Sequence, residues 1–80
     1  MTNASTPFVN ISAYKFITFD DTEAKRPVFL EKCASLNLKG TIILSPEGIN
    51  MFLAGLRHEI DAYMDWLHSD PRFADIVAKE

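Results

Sequence analysis

Glu47 is the residue of this chain best placed to do chemistry. It stands between Pro46 and Gly48, two residues suited to tight turns, inside the run Leu38-Lys39-Gly40-Thr41-Ile42-Ile43-Leu44-Ser45-Pro46-Glu47-Gly48-Ile49-Asn50. The apolar stretches on either side read as strands, so the turn holds one carboxylate at its tip. There it orients a base, meets a basic partner or solvates a loop, and composition does not choose among these. Gly48 is expected to supply a backbone angle that a side chain would forbid. Asn50, polar at the start of an apolar strand, is expected to tie the turn through a side-chain-to-backbone bond. Lys15 sits among apolar strand residues, with its ammonium in water at an edge or open face. Lys39 can help build a phosphate-facing patch. Lys15, Lys39, Glu47, Gly48 and Asn50 are therefore the candidate contacts to a substrate or a docked domain.

Other reactive types carry less. Cys33 is the one cysteine of the chain, which excludes an internal disulfide and any multi-cysteine metal site. It falls on an apolar stripe between Phe29 and Leu36, the setting of a core thiol. A mid-helix position also lacks the loop of N–H donors that an active-site thiolate needs. His58 and His68 are too far apart in sequence to suggest a metal site and read as surface groups. No base, nucleophile and oxyanion set converges, and no cofactor motif is present, so no catalytic, metal or cofactor residue is assigned.

The elements that must position these groups follow from size and periodicity. The 80 residues, 48% hydrophobic and 24% charged, make one domain. A chain this short buries only about 60% of its unfolded surface. The net charge of −3 argues against strong nucleic-acid binding by the domain as a whole, although Lys25, Arg26, Lys32 and Lys39 leave room for a local patch. No run of about 18 apolar residues is present, and residues 1–7 are polar, expected to fray, and lack signal-peptide features. A cytoplasmic protein is the simplest reading.

Phe8 to Phe19 is rich in β-branched and aromatic residues and reads as a strand. Val9, Ile11, Ala13 and Ile17 share one face; Phe8, Tyr14 and Phe16 share the other with Asn10 and Ser12, which suggests a central position. Asp20-Asp21-Thr22 supplies helix N-cap chemistry. Phe29, Leu30, Cys33 and Leu36 give a helical stripe, with Pro27 in the first turn or at a kink and Asn37 ending the helix in a left-handed conformation. Thr41 to Leu44 and Ile49 to Ala54 are strands flanking the Ser45–Gly48 turn. Gly55 breaks the pattern, and a second helix runs from Leu56 to His68 with Ile60, Tyr63, Met64 and Leu67 on one side. Asp70-Pro71 turns the chain, and Phe73 to Val77 is a short last strand. The order β-α-β-β-α-β is that of a ferredoxin-like, acylphosphatase-like sandwich: a four-stranded antiparallel sheet with both helices on one face. Trp66 and Phe52 are core candidates. If instead the sheet exposes Phe52, Tyr14 or Phe16, that face is a docking surface.

Several motifs then fall in order: Ala13-Tyr14-Lys15-Phe16, Leu38-Lys39-Gly40-Thr41-Ile42, Pro46-Glu47-Gly48-Ile49-Asn50 with Ala54-Gly55, and Asp70-Pro71-Arg72-Phe73. Together they resemble the N-terminal domain of the rhodanese-domain tRNA uridine hydroxylases over residues 9–80. The resemblance implies a longer chain, with this domain joined to a C-terminal rhodanese-like domain. That domain would carry the essential cysteine and form 5-hydroxyuridine at the tRNA wobble position. It implies an accessory domain that positions tRNA or packs on the catalytic domain, without catalysing anything itself. Many members continue Glu-Gly-Ile-Asn with Gly-Thr, where this chain has Met51-Phe52. Two alternatives differ in class. A stand-alone acylphosphatase-type hydrolase is disfavoured by Asp20-Asp21 after the first strand, which would repel a phosphate. A small-molecule-sensing or dimerising module would use an exposed apolar sheet face. The final Lys79-Glu80 has no capping signal, as expected of a segment cut from a longer protein.

Overall fold

Side chains alternate in and out along three stretches, and that alternation builds the sheet. In the computed structural model, which describes residues 8–80, β1 is Phe8–Phe16, α1 is Thr22–Ser35, β2 is Lys39–Ser45, β3 is Gly48–Leu56 and α2 is Arg57–His68. A 3-10 turn follows at Pro71–Phe73. The segment 1–7, expected to fray, lies outside the described residues. The strands pair antiparallel in the order β1-β3-β2, giving an α+β domain.

One sheet face is the core. Val9, Ile11 and Ala13 of β1 and Ile49, Met51 and Leu53 of β3 are buried there. Phe29 of α1 and Ile60, Tyr63 and Leu67 of α2 close over them, so both helices share that face. Each buried Val, Leu, Ile, Phe or Met among them contributes about 1.5–3 kcal/mol by leaving water. Met51 is 0% exposed, and the buried Tyr63 hydroxyl donates to its Sδ at 3.3 Å. Burial pushes the Tyr63 phenol well above its ordinary pKa. The α1 stripe is narrower than its periodicity suggests. Phe29 is buried and Cys33 and Leu36 pack half-buried against the core, but Leu30 faces solvent.

The expected boundaries shift for local reasons. β1 ends at Phe16, not Phe19, because β3 begins at Gly48, the partner of Phe16. Beyond it the chain clasps the hairpin turn: Ile17 N–H donates to the Glu47 carbonyl at 3.0 Å and Phe19 N–H to the Pro46 carbonyl at 2.9 Å. Pro27 lies inside α1, beyond the first turn, where it cannot donate to the Glu23 carbonyl. Asp21 is the N-cap residue but makes no side-chain cap bond; its carboxylate goes elsewhere, as described below. Asn37 does turn the chain with φ 61°. Gly55 is no breaker: it pairs with Val9 within β3, buried where a Cβ would collide with Leu38. Phe52 is exposed and not core, whereas Trp66 is half-buried and stacks edge-on against Phe29 at 5.1 Å.

The last element is the largest correction. Phe73 to Val77 is not a strand. Asp70 accepts from Arg72 N–H at 2.9 Å with Pro71 pre-set for a turn, and Ile76 N–H donates to the Phe73 carbonyl at 3.1 Å. Phe73 and Ile76 are both buried, and their spacing is that of a helical turn, which alternation would not produce. Pairing resumes only at Lys79, which exchanges both backbone bonds with Ser12 at 2.8 Å on the outer edge of β1. β3 is thus the central strand of the three, and β1 carries apolar groups on two faces while burying one.

Candidate functional site

The β2–β3 turn is built from Ser45 and Gly48. These residues pair, leaving Pro46 and Glu47 as a two-residue loop. Glu47 N–H donates to Ser45 Oγ at 3.4 Å, and Ser45 Oγ donates to the Gly48 carbonyl at 3.5 Å. Ser45 therefore does the tying that sequence assigned to Asn50. Gly48 is required by close approach: a Cβ there would overlap the Lys15 carbonyl oxygen across the β1–β3 pair. Glu47 is exposed at the tip.

The candidate cations separate. Lys15 lies on the helix-side face, half-buried, and is not free in water as expected. Its Nζ donates to the Arg72 carbonyl at 2.8 Å and forms an ion pair with Asp75. Lys15 holds the Asp75 carboxyl below the usual carboxylate range. Lys39 pairs with Ala54 at the far end of β3 from Ile49, the partner of Lys15, and points to the opposite face. Lys15, Glu47, Gly48 and Asn50 cluster near the hairpin turn; Lys39 does not join them.

Arg72 is the ionic hub that sequence reasoning passed over. Its guanidinium donates to Asp21 at 3.0 Å and to Asp70 at 3.0 and 3.3 Å. The same group lies 4.9 Å from the Phe19 ring centroid and 5.3 Å from that of Phe73. The hydrogen bonds from Arg72 depress the Asp70 pKa, and the two carboxylates raise that of Arg72. An acid on either side of Pro71-Arg72 in the folded chain was the available signal, but Asp21 is distant in sequence. A cleft of about 460 Å³ lined by Val28, Trp66 and Arg72 lies beside this hub, and its guanidinium is already engaged by carboxylates.

The sheet face away from the helices is the second surface of interest. Phe16 is 81% exposed, Tyr14 66% and Phe52 52%. The register lays Tyr14, Asn50 and Ile43 in one row across the strands. Ser12, Phe52 and Thr41 form the next, then Asn10, Ala54 and Lys39. Tyr14 and Phe16 meet edge-to-face at 5.7 Å. Lys79 joins the Ser12 row through its backbone rung. Asn50 belongs to this face, and its side chain makes no hydrogen bond among the described residues.

Cys33 is half-buried, and burial raises its thiol pKa, the reverse of what activates a nucleophile. His68 Nε2 donates to the Ile76 carbonyl at 2.8 Å, and His58 is exposed. Among the described residues no cluster of three or more metal-ligating side chains occurs, and no helix is long and apolar enough to cross a membrane.

Comparison with known proteins gives this geometry a family. The chain is 65% identical over 72 residues to the tRNA uridine(34) hydroxylase of Cupriavidus metallidurans, and equally to that of Cupriavidus necator, covering 90% of this chain and 26% of each relative. It is 55% identical over 71 residues to the tRNA uridine(34) hydroxylase of Thiobacillus denitrificans, covering 89% of this chain and 29% of that protein. The chain thus spans about a quarter of the length of these curated relatives. The profile of the UPF0176 acylphosphatase like domain matches residues 8–80, every residue whose structure is described, and the chain belongs to that family.

Proposed function

We propose that this chain is a non-catalytic positioning domain of a longer cytoplasmic enzyme that hydroxylates uridine 34 of tRNA, joined to a rhodanese-like catalytic domain. The observation that carries the reading is the 65% identity over 72 residues to proteins named tRNA uridine(34) hydroxylase, of which the chain spans 26%. The geometry supports it: Lys15 and Arg72 are engaged by Asp75, Asp70 and Asp21, and Arg26, which also donates to the Leu44 carbonyl beside the hairpin, pairs with Glu23. Lys39 and the open sheet face are available to meet tRNA or the catalytic domain. Glu47, Gly48 and Asn50 shape the end of that surface beside Tyr14 and Phe16. The Ser12–Lys79 rung supports a fourth strand that runs antiparallel to β1 and completes the ferredoxin-like sheet.

The test is complementation of cells that lack the full-length gene, with 5-hydroxyuridine in tRNA measured by mass spectrometry. The whole protein restores the modification, whereas residues 1–80 alone form none and the protein without them forms far less. Modification by residues 1–80 alone overturns the non-catalytic assignment. Full modification without them overturns the positioning role.

A further inference from the structure

The open sheet face combines three properties. Its exposed aromatic rings are Phe8, Tyr14 and Phe16 on β1 and Phe52 on β3, and of these Tyr14 and Phe52 stand on neighbouring strands as diagonal neighbours one row apart. The three middle rows also hold uncharged polar side chains: Asn50 beside Tyr14, Ser12 and Thr41 beside Phe52, and Asn10 beyond, whereas Phe8 and Leu56 close the far end. Finally, charge is segregated. The chain has 11 acidic residues, yet β1, β2 and β3 contain none. The lysine on the open face of the strands is Lys39, and Lys79 faces it from the other side of Phe52, both bordering one groove with Phe52. Of the carboxylates at the rim, Glu80 is held by both Nη atoms of Arg57 at 2.6 and 2.8 Å, and Glu47 lies at the hairpin end.

These properties favour one occupant. A protein-docking core wants a contiguous apolar patch free of charge, and here polar side chains interrupt the three middle rows. Stacking of nucleobases needs separate rings, with hydrogen-bonding groups beside them for the base edges and cations outside for the phosphates. A domain of net charge −3 repels RNA from most directions, so a strand set free of carboxylates also orients approach. We infer that the open face is a stacking platform for unpaired RNA nucleotides. Tyr14 and Phe52 each take a base, Asn50, Ser12 and Thr41 meet base edges, and Lys39 and Lys79 take the flanking phosphates. The inference rests on the proposed function in one respect, that the whole protein acts on tRNA.

The experiment uses the full-length protein and a fluorescein-labelled single-stranded hexauridine, followed by anisotropy at several salt concentrations, with an RNA duplex of equal length as control. Tyr14→Thr and Phe52→Thr each weaken hexauridine binding by about 5- to 100-fold, while Tyr14→Phe and Phe52→Tyr stay within about twofold of the parent. Lys39→Gln lowers the slope of log affinity against log salt by about one phosphate contact. The duplex binds more weakly than hexauridine and is insensitive to the aromatic substitutions. Circular dichroism checks that each variant folds; as the side chains are exposed, threonine keeps the strand.

Equal hexauridine binding by parent and aromatic variants overturns the inference, as does no binding by the parent. So does faster proteolytic release of the domain from the Tyr14→Thr or Phe52→Thr protein, which would mark the face as an interdomain contact. Uridine hydroxylation of whole tRNA is measured on the same preparations to separate the two readings. Hydroxylation with no aromatic dependence of hexauridine binding rejects the platform alone. Aromatic-dependent binding without hydroxylation rejects the proposed enzyme and leaves the platform standing.

Discussion

Arg72 connects parts of the chain that share no backbone hydrogen-bond ladder: the β1–α1 loop through Asp21 and Phe19, and the turn after α2 through Asp70 and Phe73. Each ion pair is partly exposed and worth at most about 1 kcal/mol, but stacking over two rings and the fork geometry add to it. Arg72→Lys keeps charge and loses the fork; urea denaturation is expected to show a loss of about 1–2 kcal/mol. The Asp70 pKa is depressed in the fold. Its contribution is therefore complete above the ordinary carboxylate pKa of about 3.9 and is lost as pH falls through the lower folded value. Asp70→Asn keeps the acceptor for Arg72 N–H and removes the charge. The stability gap between parent and variant should close as pH is lowered below about 4, and a gap that persists there contradicts the assignment. Gly40, at φ 132°, leaves no room for a Cβ beside the Phe52 carbonyl, so Gly40→Ala is expected to cost about 2–4 kcal/mol by the same measurement.

Strands and helices were legible wherever alternation or a helical stripe ran uninterrupted. Ile49, Met51 and Leu53 on one side of β3 and Ile60, Tyr63 and Leu67 on one side of α2 are buried as their spacing requires. Misreadings arose where a local hydrogen bond outranked composition. Apolar content makes Phe73 to Val77 look like a strand, yet the Asp70 cap and Pro71 fold it into turns that bury Phe73 and Ile76. Gly55 looks like a breaker but is the small residue that lets Leu38 approach β3. The outer edge of β1 carries one rung, at Ser12. Asn10 points its N–H to the same side, so hydrogen exchange measures the proposed fourth strand. The Asn10 amide should be protected in the full-length protein and exchange rapidly in residues 1–80 alone; equal protection in both would leave the sheet without that strand.

At the scale of the molecule, the two faces of the sheet divide the labour. One is sealed by helices, and the acids gather there and in the loops; the other is polar, aromatic and free of strand carboxylates. The motif around Glu47 was legible as a turn, and the resemblance it carried led to the family. The open face was harder to read, because Phe52 reads equally as core or, with Tyr14 and Phe16, as an exposed surface until the register shows that no helix covers them. Lys15 and Lys39 could not be told apart by sequence, since only the register puts them on opposite faces. The positioning role is tested most directly by steady-state hydroxylation of tRNA by the full-length protein carrying Tyr14→Thr and Phe52→Thr together. A positioning domain predicts a KM for tRNA raised at least about tenfold with kcat nearly unchanged. A fall in kcat at unchanged KM would place these residues in the chemical step and contradict the account.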